Sequence, residues 1–268
     1  MNIQDEVAAA NQRLWEEEVK EGCGYTIPWL DLDVEAFRAY RERETDVLPE
    51  PPSDRVVMLD VRGKDVLCLA LGGGQQSAVY SLLGARVTVV DLAEGQIEGD
   101  RRAAAHYGYE IAAMRGDMRD LSFLEAESFD LVVGWGLTYV PDVREVYRQV
   151  ANVLRTGGLY WTHARQAAVA FVEWNGEAYC IAKPYVDRIE RPDHGGIEFR
   201  HYMDDLFTGL VELGFSIQGV HEPPHHCRPD SQAAPGSWNH QRLYVGGAFY
   251  IAARKERKTS QHTGRGDP

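Results

Sequence analysis

Three consecutive glycines, Gly72, Gly73 and Gly74, close the apolar run 66–71, and a second β-branched run, 87–90, ends in a carboxylate, Asp91. Glycine lets a backbone approach a ligand closely. A helix opening just after the glycines offers backbone N–H groups and partial positive charge. A carboxylate at the tip of the next strand accepts two hydrogen bonds from a ribose diol. These groups suit the adenosine half of a cofactor. Further on, His163 follows the apolar run 159–162 directly, where an imidazole can take a proton. The same residue would also serve simply to order a loop. Ligands of open α/β sheets sit outside the carboxyl ends of the strands. That rule gathers Trp135, Tyr139, His163 and Arg165. Tyr139 fits a hydrogen-bond donor or a wall.

The elements that must hold these groups alternate. Strands are expected at 66–71, 87–91, 111–114, 129–133 and 159–162, with helices after the glycines and at 93–105 and 143–154. In the last helix Val143, Val146, Tyr147, Val150 and Leu154 share one face. This rhythm predicts an α/β fold with a parallel sheet covered on both faces. A helical prefix comes first, spanning 3–21 and a second helix capped by Asp33, then the Pro-rich stretch 48–53. Glu16, Glu17 and Glu18 read as solvated charges. Residues 171–179 surround an Asn-Gly turn and read as a hairpin, and 197–202 adds a strand. The alternation resumes with a helix at 204–213 and strands at 215–220 and 243–253. The division is therefore 1–62 (lid and linker), 63–166 (core), 167–203 (inserted cap), 204–253 (core) and 254–268 (a disordered tail).

Composition narrows the function classes. A net charge of −13 over 268 residues, with no basic face, opposes nucleic acid. The cysteines (Cys23, Cys68, Cys180, Cys227) are dispersed, which suits free thiols in a reducing cytoplasm. No apolar run is long enough to cross a membrane, and residues 1–6 are polar and acidic, unlike a signal peptide. His221, His225, His226, Cys227 and His240 match no zinc spacing, so no metal site is predicted.

Taken in order, the glycine turn, Asp91, the triplet Gly116-Asp117-Met118, the strand 129–133 and the turn Thr156-Gly157-Gly158 resemble class I S-adenosylmethionine (SAM) dependent methyltransferases of the small-molecule branch. The resemblance covers 63–165, and 204–253 more loosely. It implies a Rossmann-like, seven-stranded, mostly parallel sheet whose last strand is antiparallel. Ala70, Gly72 and Gly74 fall on the family's glycine positions, with Gly73 between them. Asp91 matches the ribose-binding acid, with Leu92 against the adenine. Asp117 and Met118 match the pair that reads the adenine edge and covers its face. Gly134 and Trp135 match the strand tip beside the sulfonium. Cys68 departs from the pattern, standing where the family carries an acid; Gln75 and Gln76 are candidate amide replacements.

The resemblance implies in-line transfer of a methyl group from SAM to N, O or C of a small acceptor. Trp15, Tyr25 and Trp29 of the prefix, and Tyr179, His201 and Tyr202 of the cap, are expected with Arg165 to wall that acceptor, which points to a small, partly apolar or aromatic molecule. The segment Gly134-Trp135-Gly136-Leu137 lacks the Asn-Pro-Pro-Tyr type of motif found in the amino-methylating enzymes of nucleobases and glutamine, and no Pro-Cys pair is present. Two alternatives stand beside this reading. One is a non-catalytic SAM-binding sensor or scaffold, consistent with Cys68. The other is a nucleotide-dependent oxidoreductase, in which a glycine is expected where Ser77 stands. Nothing in these residues selects an oligomeric state.

Overall fold

A computed structural model describes residues 3–53, 55–192, 195–222 and 232–256. The prefix forms α1 (Ile3–Glu21) and α2 (Val34–Arg41), and the Asp33 carboxylate caps α2 by accepting the Ala36 N–H at 3.1 Å. The core follows as β1 (Asp65–Leu69), α3 (Gln76–Leu82), β2 (Arg86–Asp91), α4 (Glu94–Tyr107), β3 (Ala112–Arg115), β4 (Phe129–Gly134), α5 (Val143–Val153) and β5 (Leu154–Arg165). The inserted stretch contributes two short antiparallel pairs, β6 (Val172–Trp174) with β7 (Tyr179–Ile181), and β8 (Ile189–Glu190) with β9 (Glu198–Phe199). A π-turn (Asp204–Thr208) then runs into α6 (Gly209–Glu212), followed by β10 (Phe215–His221), α7 (Trp238–Gln241) and β11 (Ala248–Lys255).

One sheet of seven strands, ordered β10-β11-β5-β4-β1-β2-β3, organises the molecule. Strands β1 to β5 pair in parallel, and β11 is antiparallel to both its neighbours, as the resemblance implies. The period-2 pattern of β1 explains why both faces are covered. Leu67 and Leu69 point into a layer with Val146, Tyr147 and Val150 of α5. Val66 and Cys68 point the other way, against Val79, Tyr80 and Leu83 of α3, with Phe37 and Tyr40 of α2 beyond. Cys68 is thus a core residue whose thiol burial pushes up. The chain order reverses between β4 and β1, and the crevice at that reversal is where such sheets bind ligands.

Leu67, fully buried mid-strand, tests this packing. Leu67→Ala is expected to cost about 2–5 kcal/mol of unfolding free energy in urea. Val47→Ala, at a side chain 75% exposed, should stay within about 0.5 kcal/mol.

Three sequence readings shift. Glu16 is not merely solvated: its carboxylate accepts the Glu94 and Gly95 N–H groups at 2.7 and 3.3 Å. The α4 N-cap, Ala93, has no side-chain acceptor, so α1 supplies one. The turn at 156–158 becomes an irregularity inside β5, with Gly157 at φ +82°, where pairing to β4 jumps from Phe129↔Leu154 to Leu131↔Leu159. The last strand starts later than expected and includes Arg254 and Lys255, which were assigned to the tail. Their side chains donate to the carbonyls of Gly157 and Leu154, each at 2.7 Å, tying the strand end to that irregularity. Residues 257–268, like His225, His226 and Cys227, lie outside the described residues.

Candidate active site

A cavity of about 780 Å³ opens at the carboxyl ends of β1, β2, β4 and β5. Its floor is the turn after β1. The Asp91 carboxylate lies at the tip of β2, 8% exposed, accepting the Gly72 N–H through Oδ2 and the Ala93 N–H through Oδ1, both at 3.0 Å. Burial pushes its pKa up, and those N–H groups pull it partly back. Gly72 has no alternative here: a Cβ would lie 2.5 Å from the Gln96 Cβ and 3.1 Å from Asp91 Oδ2. Ala70, by contrast, holds a left-handed φ of +52° without being glycine, a strained conformation at the cavity wall.

The next two glycines turn away from the cavity. Gly73 and Gly74 donate their N–H groups to the Asp100 carboxylate of α4 at 3.1 and 3.0 Å, and the Ser77 hydroxyl donates to the same group. Gly74 packs on α4 so closely that a Cβ would lie 2.4 Å from the Gly99 carbonyl oxygen. The expectation that these N–H groups face a ligand is therefore corrected: a carboxylate of the chain itself receives them. A cofactor pyrophosphate at this turn would meet Asp100 already there, which argues against the nucleotide-dependent oxidoreductase. Gln75 does not replace the missing strand acid either. Its amide donates to the Gly24 and Ile27 carbonyls, each at 2.8 Å, fastening the prefix over the turn.

Along the cavity from Asp91, Leu92, Gly116, Asp117 and Met118 form one side. Asp117 is held by Arg119, at 2.5 Å between Oδ2 and the guanidinium. Ala70, Gln76 and Trp135 line the middle. The Trp135 indole stacks on His163 at 4.8 Å between centroids, and Tyr250 meets that imidazole edge-on at 5.4 Å. Tyr139 packs edge-on against Trp15 at 6.0 Å, and burial raises its phenol pKa, so it stays a neutral donor. Tyr25 and Arg165 also line the space, and Arg165 is paired with Glu198 at 2.6 Å and with Glu190 at 3.3 Å.

Five predicted residues in addition to Gly73 and Gly74 lie off the cavity surface. Gly134 is buried between Leu69 and the Tyr160 ring. Trp29 packs into the α3-side core, its carbonyl accepting the Tyr107 hydroxyl. Tyr179 contacts His240 through its hydroxyl at 2.8 Å and packs on Trp174. His201 donates Nε2–H to the Leu137 carbonyl at 2.8 Å, and burial lowers its pKa. Tyr202 stacks on Tyr185 under the Arg188 guanidinium. The four ring residues find apolar or hydrogen-bonding partners in the core, in α7 or within the cap, which stabilise them more than a solvated wall position would.

Sequence reasoning overlooked other lining residues. Gln96, on the first turn of α4, is buried with its carbonyl oxygen unpartnered beside Gly73. Arg55 lies at the mouth, its guanidinium 4.5 Å over the Tyr25 ring. Trp238 and Asn239 come from α7, with Arg242 directly after it, in a stretch to which the sequence assigns no helix or strand. The hairpin β6–β7 positions that helix, because Gln241 donates to the Val169 and Val172 carbonyls at 3.0 and 3.1 Å. A tryptophan in an otherwise polar, Pro-rich stretch was the available signal.

These residues fit an adenosyl cofactor. Asp91 keeps acceptor capacity toward the cavity, Gln96 lines it with a buried unpartnered oxygen at the glycine turn, and the volume suits a cofactor together with a small acceptor. Among the described residues, no group of three His, Cys, Asp or Glu side chains is arranged to hold a metal ion, and no helix is long and apolar enough to cross a membrane.

Residues 66–158 match a methyltransferase domain family. The uncharacterized methyltransferase YbaJ of Bacillus subtilis is 29% identical over 233 residues, covering 81% of this chain and 90% of that protein. The ubiquinone biosynthesis O-methyltransferase of Xanthomonas axonopodis pv. citri is 32% identical over 115 residues, 42% of this chain and 48% of that protein, so the match spans about half of that relative. A crystal structure of a SAM-dependent methyltransferase from Mesorhizobium loti superposes with a TM-score of 0.62 at 25% identity, covering 74% of this chain and 93% of that one.

Proposed function

Because this chain is a class I SAM-dependent methyltransferase, we propose that its acceptor is a small, partly apolar or aromatic molecule, methylated on N, O or C. The observation that carries the reading is a single cavity that runs from the Asp91 carboxylate past the Trp135–His163 stack to Trp238. Bound SAM supplies an electrophilic methyl group on a sulfonium. The Asp91 carboxylate is the acceptor for the ribose hydroxyls, and Asp117, Met118 and Leu92 hold the adenine. Aromatic faces at Trp135 and Tyr139 support a neighbouring cation and exclude water. His163 takes the proton of an acceptor that must lose one. The remaining contribution is proximity and orientation, on the order of 7–11 kcal/mol for a well-aligned pair.

Nucleic acid does not suit the site. The chain carries a net charge of −13, and the cavity is walled by rings and paired charges. The O-methylation named for the Xanthomonas relative supports oxygen as the first acceptor atom to try.

Methyl-labelled SAM incubated with the protein and a metabolite extract tests the proposal. Label is expected in the small-molecule fraction; label confined to macromolecules would sink it. Trp238→Ala should then raise the acceptor KM roughly tenfold, about what one stacked ring is worth, with SAM affinity unchanged. Equal losses for both ligands would remove α7 from the acceptor end.

A further inference from the structure

Cys68 stands on β1 where a carboxylate was expected, and its side chain is sealed into the core against α3. A carboxylate reaches the glycine turn from another element. Asp100 of α4 is fully buried; Oδ2 accepts the Gly73 N–H, and Oδ1 accepts both the Gly74 N–H and the Ser77 hydroxyl. We propose that Asp100 is a positioning residue for SAM: it clamps the glycine turn from beneath and so presents Gly72 and Gln76 to the cavity. The proposal rests on the cofactor assignment above, and concerns a residue that does not itself line the cavity.

The clamp is strongest in the ionised form. A carboxylate accepts on both oxygens, whereas a carboxylic acid carries an O–H on one of them. Both oxygens already face donors: a proton on Oδ2 opposes the Gly73 N–H, and a proton on Oδ1 reverses the Ser77 contact and weakens what that oxygen offers the Gly74 N–H. Burial pushes the Asp100 pKa up to about 7, with Ser77 pulling it down and Asp91 pushing it up. The other titratable groups around it are Asp91 from β2, raised by burial, Cys68 from β1, raised well above its ordinary value, and Tyr109 beyond α4, also raised. The thiol and the phenol therefore stay neutral, leaving Asp91 as the second group that can change charge. The sign follows: as pH rises through about 7, Asp100 ionises, the turn closes and cofactor affinity increases.

Calorimetric titrations of the full chain with SAM and with S-adenosylhomocysteine at pH 6, 7 and 8 test this. In Asp100→Asn the amide nitrogen opposes one glycine N–H. That variant should bind both ligands about tenfold more weakly than wild type at pH 8, in line with one buried donor left unmade. At pH 6 the gap should narrow, because the wild-type carboxyl is itself protonated. Comparing the two proteins at each pH cancels titration of the ligand's own amino group. Ser77→Ala keeps the carboxylate but removes a donor that lowers its pKa, so the wild-type rise should move to higher pH. This second variant serves also if Asp100→Asn fails to fold. Wild-type affinity in Asp100→Asn at pH 8, a gap independent of pH, a loss confined to SAM, or an unmoved midpoint in Ser77→Ala would each overturn the clamp. Wild-type protein that binds neither ligand would instead overturn the cofactor assignment.

Discussion

Asp91→Ala is expected to raise the SAM dissociation constant by roughly a hundredfold or more. The carboxylate offers two charge-assisted hydrogen bonds to a diol, at about 1.5–3 kcal/mol each, and about 1.4 kcal/mol is a factor of ten. Its position makes the loss hard to replace. Gly72 and Gln96 pack against it too tightly for another side chain to reach the same point. The same carboxylate receives the Gly72 and Ala93 N–H groups, so the substitution also frees the turn. Asp91→Asn separates the two effects. It keeps the volume and one acceptor oxygen, and should bind with intermediate affinity. Calorimetry with SAM reads both variants, and a ligand-free melting curve confirms that each is folded. Affinity unchanged in Asp91→Ala would mean that the ribose does not lie at the tip of β2.

His163→Gln should lower kcat by about 10²–10⁴-fold, the usual contribution of a positioned general base, with SAM binding intact. The imidazole is held between the Trp135 face and the Tyr250 edge, on the strand pair where His163 lies opposite Tyr250. That packing fixes the ring's orientation toward the cavity. If His163 acts as a base, the loss shrinks as pH rises and the acceptor ionises unaided. A pH-independent loss would assign it to wall and orientation alone, and no loss would remove it from the chemistry. The rate in acceptor-saturated assays across pH 6–10 distinguishes these outcomes.

The two ends of the site differ in how far they could be read from the sequence. The proposed cofactor end lies between Asp65 and Met118, and its residues come from strands and strand tips that follow one another in the chain. The proposed acceptor end is assembled from α1, the turn after β4, β5, β9 and α7. Aromatic residues of the prefix and cap divided accordingly: Trp15 and Tyr25 reached the cavity, while Trp29, Tyr179 and Tyr202 found partners elsewhere.

Asp100 shows the same boundary at closer range. Nine residues beyond Asp91, it reads in the chain as one more acid on a helix of mixed charge. Only the close seating of α4 on the glycine turn carries it beneath Gly73 and Gly74. By itself, the chain determined its strand-and-helix alternation, the sheet with an antiparallel end and the acid at the tip of β2, because hydrophobic period and turn chemistry act over a few consecutive residues. Tertiary structure alone decided which buried carboxylate holds the turn, which rings face the cavity and that α7 borders it. Those outcomes depend on the angle and depth at which distant elements pack, and no local pattern encodes them.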